Sequence, residues 1–202
     1  MQSRLERKIS WLIVVVAFRL EVLILSKFSD ITELRNYRKC QSKVQNCSQP
    51  TRLPFHSGLD NGSDNLKFSL INFQSVANNK NNKWVSLESF IDSEKPDVIF
   101  GTETWLKPDI ATTEFFPEGF TVYRRDRPHR NGGGVLIAVS NKHVSSDVSV
   151  PNTEAEQVYC KLHSNKGHIL LGSFYRAPGD HAGVGLLHDT LTELTKTQNP
   201  QE

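Results

Sequence analysis

The chain has 202 residues, of which 37% are hydrophobic and 23% charged, enough for one ordinary soluble domain with a sizeable core. The net charge of +2 is unevenly distributed: residues 1–52 hold 10 Lys/Arg and 4 Asp/Glu, whereas residues 53–202 hold 14 and 18. This acidic balance argues against tight, general nucleic-acid binding by the main part of the chain. The three cysteines have no metal-type spacing and form no disulfide framework, so a reducing compartment, nuclear or cytoplasmic, is favoured.

The N-terminal segment, residues 1–35, combines a basic start with an apolar run from Trp11 to Phe18. A membrane span needs roughly 20 apolar residues, and Arg19 and Glu21 interrupt this run, so a membrane partner is not expected. A buried or amphipathic helix is the preferred interpretation, with a signal or anchor segment, or a segment foreign to the domain, as alternatives. Residues 36–65 are rich in Asn, Ser and Gln without an apolar period and predict a disordered linker.

Residues 66–202 carry the pattern of a folded domain. Apolar runs and alternation predict strands at 66–72, 96–101, 120–123, 135–139, 157–162 and 169–175. Helical spacing predicts one helix through Trp84, Leu87, Phe90 and Ile91 and an amphipathic helix from Leu186 to Leu194. Strand, helix and strand are thus followed by several strands without intervening helices. This order predicts an α+β fold with at least one mixed or antiparallel sheet.

A polar segment follows the most apolar of the early strands. Pro96 disfavours a helix at Lys95, and the triplet Val98–Phe100 suits a strand buried on both faces. Gly101 then interrupts the pattern, and Glu103 follows between two threonines. Strand ends often carry ligand or metal sites, because the sheet holds the side chain rigidly while its tip meets solvent. Taken alone, Glu103 is more typical of a residue that caps a loop, and the surrounding motifs are needed to favour a functional role.

Four short motifs occur in order along residues 66–178. They are Asn72-Phe73-Gln74-Ser75, Thr102-Glu103-Thr104-Trp105-Leu106, Tyr123-Arg124-Arg125-Asp126-Arg127 with Gly132–Gly134, and Phe174-Tyr175-Arg176-Ala177-Pro178. Together they resemble the endonuclease domain of LINE-type (non-LTR) retrotransposons, which accompanies a reverse transcriptase. That domain belongs to the endonuclease/exonuclease/phosphatase superfamily, with apurinic endonucleases and deoxyribonuclease I. Gln74 departs from the arginine common in the first motif.

The resemblance implies a four-layer α/β/β/α sandwich in which two sheets pack face to face with helices outside. It also implies hydrolysis of a DNA phosphodiester with Mg²⁺ as cofactor and DNA as partner, and no obligate protein partner is evident. Such an ion is held by few carboxylates and by water, and it neutralises charge that develops on the phosphoryl oxygens.

The resemblance also implies roles for three residues of the chain. Glu103 would be the catalytic metal carboxylate, Asn72 would hydrogen-bond the site, and Tyr175 would face the scissile phosphate. From the residues alone, the preferred interpretations are structural: Asn72 as a turn former at a strand end, and Tyr175 as an amphipathic core residue.

The third motif has a basic part, Tyr123–Arg127, and a glycine part, Gly132–Gly134, and each part allows two interpretations. Arg124 and Arg125, together with Arg127, are candidate contacts to a nucleic-acid backbone, although Asp126 among them suggests an internal ion pair instead. Gly132–Gly134 could bind phosphate through backbone amides, but they precede a strand rather than a helix. A turn with close sheet packing is therefore preferred for the glycines.

Two further motifs of the resembled family do not occur in the sequence: a Gly-Asp-Phe-Asn type motif and a Ser-Asp-His type motif, which position water, phosphate and protons. The expectation is therefore the N-terminal part of the domain over residues 66–202, truncated, inactive or nearly so, and marginally folded with an exposed apolar face and sheet edge. Whether the chain is itself an enzyme stays open. Completion by sequence outside this chain is one alternative, and a non-catalytic interaction or membrane-associated protein reusing the half-domain is the other.

Overall fold

A computed structural model describes residues 9–17, 22–25, 51–52, 66–76, 83–127, 132–151, 154–164, 167–177, 180 and 182–198. Within these residues there are ten strands and two α-helices. The strands are β1 (Ile9–Ala17), β2 (Val22–Leu25), β3 (Thr51–Arg52), β4 (Phe68–Asn72), β5 (Val98–Thr102), β6 (Phe120–Arg125), β7 (Val135–Ser140), β8 (Ser145–Asp147), β9 (Glu156–Ser164) and β10 (Gly167–Tyr175). The helices are α1 (Lys83–Glu94) and α2 (Gly183–Gln198), and Thr112–Glu114 form a short 3-10 helix.

The first sheet has the strand order β3-β4-β5-β7-β6. Its central strand β5 is parallel to β4 and antiparallel to β7, and all five of its residues are buried. Gly101 is required within this strand because a Cβ atom there would lie 2.6 Å from Phe73 Cε2 and 2.7 Å from Leu136 Cγ. The glycine therefore lets neighbouring side chains pack directly against the β5 backbone.

The second sheet has the strand order β2-β1-β10-β9-β8. β9 and β10 form an antiparallel hairpin, paired from Ser164 with Gly167 to Glu156 with Tyr175. β1 lies parallel to β10 along its other side, where Ala17 is opposite Tyr175. β10 ends at Tyr175 and β9 begins at Glu156, so these two residues lie opposite each other at the same end of the hairpin.

The two sheets pack face to face through a buried apolar cluster, and each outer face carries a helix. The cluster between the sheets contains Phe68, Leu70, Val98, Phe100, Val135, Ile137, Val139, Val158, Cys160, Leu162, Ile169, Leu171 and Tyr175. Leu87 of α1 packs in a second cluster on the outer face of the first sheet. Leu187, Leu191 and Leu194 of α2 pack against the outer face of the second sheet. Burial of these apolar faces is the main driving force for the arrangement.

The six strands and two helices predicted for residues 66–202 are confirmed, as is the mixed α+β content. The helix predicted through Trp11 is wrong, because Ile9–Ala17 form strand β1. The run contains Ile13, Val14, Val15 and Val16, and β-branched residues favour strands. Neither described helix is long and apolar enough to traverse a lipid bilayer.

Strand β1 and helix α2 cover a sheet edge and an apolar face of the second sheet that were expected to be exposed. The edge of β10 is paired along its length by β1, and the outer face of β10 is covered by α2. Thr51 and Arg52, which lie inside the predicted linker, pair with Leu70 and Ser69 as strand β3. The rest of that linker lies outside the described residues, and the predicted domain boundaries stay predictions.

Candidate active site

The predicted site residues stand at the ends of three strands. β4 ends at Asn72 and the parallel strand β5 ends at Thr102, and these two residues are opposite each other in the register. Tyr175 ends β10 in the facing sheet, and its hydroxyl donates a hydrogen bond to the Glu103 carboxylate across the two sheets. The structure therefore brings Glu103 and Tyr175 into direct contact at an edge of the sandwich.

The loop that carries Glu103 has an unusual backbone. Glu103 and Trp105 have φ angles of +53° and +55°, in the left-handed region that costs a residue with a side chain about 1–3 kcal/mol. Backbone hydrogen bonds hold this conformation: Ser75 N donates to Glu103 O at 2.9 Å, and Trp105 N donates to Gly133 O at 2.9 Å. The direction of the Glu103 side chain is thus fixed by loops on both sides.

The carboxylate of Glu103 accepts three hydrogen bonds. Oε1 accepts from the Tyr175 hydroxyl, and Oε2 accepts from Trp105 Nε1 at 2.6 Å and from Gly133 N at 2.9 Å. Burial by itself would raise the pKa of Glu103, but these three donors and the positive charge of Arg127 outweigh it, so the pKa lies below its usual value. Glu103 is therefore an anion at neutral pH.

Tyr175 is held in its protonated form. Burial raises the pKa of Tyr175 most, and the hydrogen bond to Glu103 and the negative charges of Glu103 and Glu156 raise it further. The phenol therefore remains a hydrogen-bond donor throughout the physiological pH range. It is buried at the inner face of the sandwich, with its oxygen at the carboxylate.

The three glycines before β7 form a turn that binds carboxylates of the chain itself. Gly132, Gly133 and Gly134 have φ angles of +88°, +72° and +83°, which a glycine adopts without steric cost. Gly133 N donates to Glu103 Oε2 and Gly134 N donates to Glu156 Oε2. These contacts support the interpretation of the glycines as a tight turn with close packing, because the two amides are occupied by carboxylate oxygens.

An ion pair that the sequence did not reveal lies beside this turn. Arg127 Nε donates to Glu156 Oε1 at 2.7 Å, and Arg127 Nη2 makes a second bond to the same oxygen. The two side chains are only 20% and 14% exposed. Glu156 begins β9 opposite Tyr175, so only the strand register, and no local motif, could have placed it here.

The two arginines predicted to contact nucleic acid differ in their surroundings. Arg124 Nη2 donates to Ile110 O at 2.6 Å and to Lys107 O at 3.2 Å, and it lies 3.0 Å from Asp126 Oδ2. The internal ion pair proposed as the alternative is thus present. Burial raises the pKa of Asp126 against the opposing effect of Arg124. Arg125 is exposed at the end of β6. Nucleic-acid contact by either arginine stays a prediction.

Asn72 lies at the correct edge in a turn-forming geometry. Its side-chain Oδ1 accepts a hydrogen bond from Gln74 N at 3.3 Å, the pattern of an Asx turn. Gln74 and Ser75 follow with φ angles of +43° and +77°. Asn72 therefore shapes the loop that supports Glu103 through Ser75, and its predicted catalytic role stays a prediction.

The oxygen ligands at this edge suit a water-rich divalent ion. Mg²⁺ is commonly bound by one or two carboxylates, with waters and substrate phosphate completing six ligands. Glu103 is ionised, and its Oε1 accepts one hydrogen bond, from Tyr175, which leaves acceptor capacity on that oxygen. Within the described ranges, no group of three or more His, Cys, Asp or Glu side chains converges as a metal site, either at this edge or elsewhere. Glu103 is therefore the described residue at this edge that could hold such an ion, with water as the remaining ligands.

Comparison with known proteins gives similarities to solved structures. No family model and no curated protein matches the chain. It is similar to the endonuclease domain of TRAS1, a telomere-specific non-LTR retrotransposon, at 14% identity and a TM-score of 0.49 over 68% of this chain. It is also similar to the AP endonuclease LMAP from Leishmania major at 21% identity and a TM-score of 0.45 over 65% of this chain. The D. rerio TDP2 structure, solved with a single-strand DNA product, matches at 15% identity and a TM-score of 0.46 over 67% of this chain.

The retrotransposon endonuclease and the apurinic endonucleases named from the four motifs are thus among the structures to which the chain is similar. The chain spans 55%, 44% and 56% of the lengths of those three chains, about half of each.

Proposed function

We propose that the chain carries part of a metal-dependent DNA endonuclease domain of the non-LTR retrotransposon type, a four-layer phosphodiesterase whose described residues form an incomplete and nearly inactive site. The observation that carries the proposal is the contact between Glu103 and Tyr175. The two residues come from different motifs and different sheets, 72 positions apart, and the resemblance assigns them to one active site.

The chemistry available at this edge is that of phosphodiester hydrolysis. Glu103 supplies a fixed negative charge that would hold a divalent ion, and Tyr175 supplies a protonated donor for a phosphoryl oxygen. Mg²⁺ held by Glu103 would neutralise the charge that develops on the phosphate and would lower the pKa of its water ligands. Arg127, 20% exposed and next to the glycine turn, adds a positive charge close to both residues.

Among the described residues, none of the hydrogen-bond partners of Glu103 is a histidine that could act as the base for the attacking water. Two described histidines with side-chain partners lie away from Glu103. His143 contacts Asp97 at 2.7 Å, before the start of β5 and therefore at the opposite end of that strand from Glu103. His163 binds Ser146 at 2.8 Å in the β8–β9 region. Loss of one member of a concerted site can lower a rate by several powers of ten, so a very low rate of cleavage is expected.

The test is divalent-ion binding measured separately from cleavage. Mn²⁺ binding to the full chain, followed by electron paramagnetic resonance, should be weak but detectable and should be lost in Glu103→Gln. Glu118→Gln, which removes an exposed carboxylate in the turn before β6, is the matched control and should bind Mn²⁺ as the unaltered chain does. Equal Mn²⁺ binding by Glu103→Gln and the unaltered chain would contradict the proposal.

Nicking of supercoiled plasmid with Mg²⁺ is the second readout on the same preparations. We expect almost no nicking above an EDTA control. Robust nicking that Glu103→Ala abolishes would show a complete nuclease and would overturn the proposed incompleteness of the site. If Glu103 binds no divalent ion and no nicking occurs, a non-catalytic interaction role becomes the better account of the chain.

A further inference from the structure

Trp105 has a partly exposed indole side chain at the candidate active site. Its side chain is 45% exposed, and it is the one aromatic residue among the exposed large hydrophobic residues of the described ranges. Its indole N–H is bound to Glu103 Oε2 at 2.6 Å, which fixes the ring next to the carboxylate. The backbone of Trp105 is strained, with φ at +55°, and strained residues that expose apolar surface are characteristic of ligand-binding sites.

Arg127 has side-chain N–H groups that are not used in hydrogen bonds to other described residues. Its Nε and Nη2 atoms bind Glu156 Oε1, while within the described ranges no hydrogen bond involves its Nη1 atom. The bonds to Glu156 hold the guanidinium plane, so the remaining N–H groups are positioned in advance. A guanidinium fixed in this way suits a phosphate oxygen, because its planar donors match phosphate geometry.

The indole and the guanidinium flank consecutive residues of the glycine turn. A Cβ atom on Gly132 would lie 3.5 Å from Trp105 Nε1, and one on Gly133 would lie 2.5 Å from Arg127 Cζ. Trp105 Nε1 lies 2.6 Å from Glu103 Oε2, which lies 2.9 Å from Gly133 N, so with ordinary backbone dimensions the indole nitrogen and the guanidinium carbon lie within roughly 11 Å of each other. The Glu103 carboxylate is 3.8 Å from the Gly132 position and accepts the Gly133 amide, so it lies between them.

We propose that Trp105 and Arg127 form a subsite for one nucleotide of single-stranded nucleic acid, with the base stacked on the indole and its phosphate bound by the guanidinium. This inference rests on the proposed function, because it places the nucleotide beside Glu103 and Tyr175. A free base face is needed for stacking on an aromatic side chain, and bases in a duplex have both faces covered. The subsite therefore selects single-stranded or unpaired nucleotides over duplex.

The test is equilibrium binding of a fluorescently labelled oligothymidylate to the full chain, measured by anisotropy in EDTA so that no cleavage occurs. Trp105→Leu should weaken binding about tenfold or more, whereas Trp105→Phe, which keeps a stacking ring, should stay within about threefold of the unaltered chain. Arg127→Gln should weaken binding and lower the slope of log K against log salt by about 0.7, the value for one lost phosphate contact on a single strand. Val144→Ala and Lys142→Gln, at exposed sites after β7, are matched controls and should bind unchanged.

Circular dichroism identifies any variant that fails to fold. Arg127→Lys is the second variant at that site, since it keeps the charge and should retain the salt slope while losing affinity. Quenching of tryptophan fluorescence by unlabelled oligothymidylate, in a background with Trp11→Phe and Trp84→Phe, reports on Trp105 without altering it. Clear quenching by the single strand, with little by the matching duplex, is the expected result.

Equal affinity of Trp105→Leu and the unaltered chain, or equal affinity for single strand and duplex, would overturn the subsite. These failures are distinct from failure of the proposed function. Loss of Mn²⁺ binding in Glu103→Gln with no effect of Trp105→Leu would leave the metal site intact and refute the subsite. Conversely, oligonucleotide binding that depends on Trp105 and Arg127, with no divalent ion at Glu103, would support the subsite and refute the metal-dependent function.

Discussion

Replacing Gly133 by alanine perturbs the centre of the candidate site without removing any functional group. With φ at +72°, an alanine there costs about 1–2 kcal/mol for the left-handed backbone alone. Its Cβ atom would also clash with Glu156 Oε2 and lie 2.5 Å from Arg127 Cζ, so the ion pair must move. Overpacking of this kind typically costs a further 1–3 kcal/mol, roughly, and we therefore expect a total loss of about 2–5 kcal/mol.

Gly119→Ala is the matched control for this substitution. Gly119 has φ at +92°, and no atom lies within 4 Å of an added Cβ atom, so only the cost of the left-handed backbone applies. Urea unfolding of the full chain, followed by circular dichroism, gives the two free energies of unfolding. Losses that agree within about 0.5 kcal/mol would refute the argument that close packing at Gly133 positions the pair.

A double substitution makes the same test independent of the backbone cost. If the clash with Glu156 causes the extra loss, Gly133→Ala should cost less when Glu156 has already been replaced by alanine. If the losses in free energy of unfolding from the two substitutions are strictly additive, the extra loss from Gly133→Ala does not come from the contact with Glu156.

Three further predictions concern single groups. Because the pKa of Tyr175 is raised in the folded chain, its contribution to stability is present below its ordinary pKa of 10.0 and is lost as pH rises above 10. In urea titrations, Tyr175→Phe should therefore lose less stability between pH 8 and 11 than the unaltered chain. An equal loss of stability in the two proteins would contradict this prediction. Cys160 is buried, and burial raises the pKa of its thiol. In a variant with Cys40 and Cys47 replaced by serine, iodoacetamide should therefore modify the chain only in denaturant. Rapid labelling of the native chain would show instead that Cys160 is accessible. Gly101→Ala should lower the free energy of unfolding in urea by about 1–3 kcal/mol, because its Cβ atom would meet two buried side chains. Gly185→Ala in α2, with open space around it, should raise the free energy of unfolding by about 0.5–1 kcal/mol. Similar effects of the two substitutions would refute the packing argument.

Most of the fold between residues 66 and 198 could be predicted from the sequence because its elements have strong local patterns. β5 and β7 are continuous apolar runs, and α2 has a helical period of leucines that pack on the second sheet. β8 was not predicted, since Ser145–Asp147 contain no apolar residue and the strand exists through its pairing with β9. β1 was assigned the wrong structure because an apolar run without a period does not distinguish strand from helix.

The site was predictable to the extent that each contributing residue stands in a motif. Glu103 and Tyr175 were placed at one site from the resemblance, and the structure brings them into hydrogen-bonding contact. Glu156 was missed because its importance comes from a pairing with Arg127 and Gly134 that no local pattern encodes. Long-range contacts of this kind follow from strand register and turn geometry, which a single sequence does not specify.

The pairing of β1 with β10 has a consequence for the order in which the protein can fold during translation. Ile9 lies opposite His168, so the first strand leaves the ribosome about 160 residues before its partner is made. At roughly 5–20 residues per second, that interval lasts about 8–30 s. The backbone of β1 that pairs with β10 must wait through this period without its partner, which favours slow folding and binding by chaperones over rapid spontaneous folding. Completion of the second sheet therefore has to wait until β10 has been synthesised.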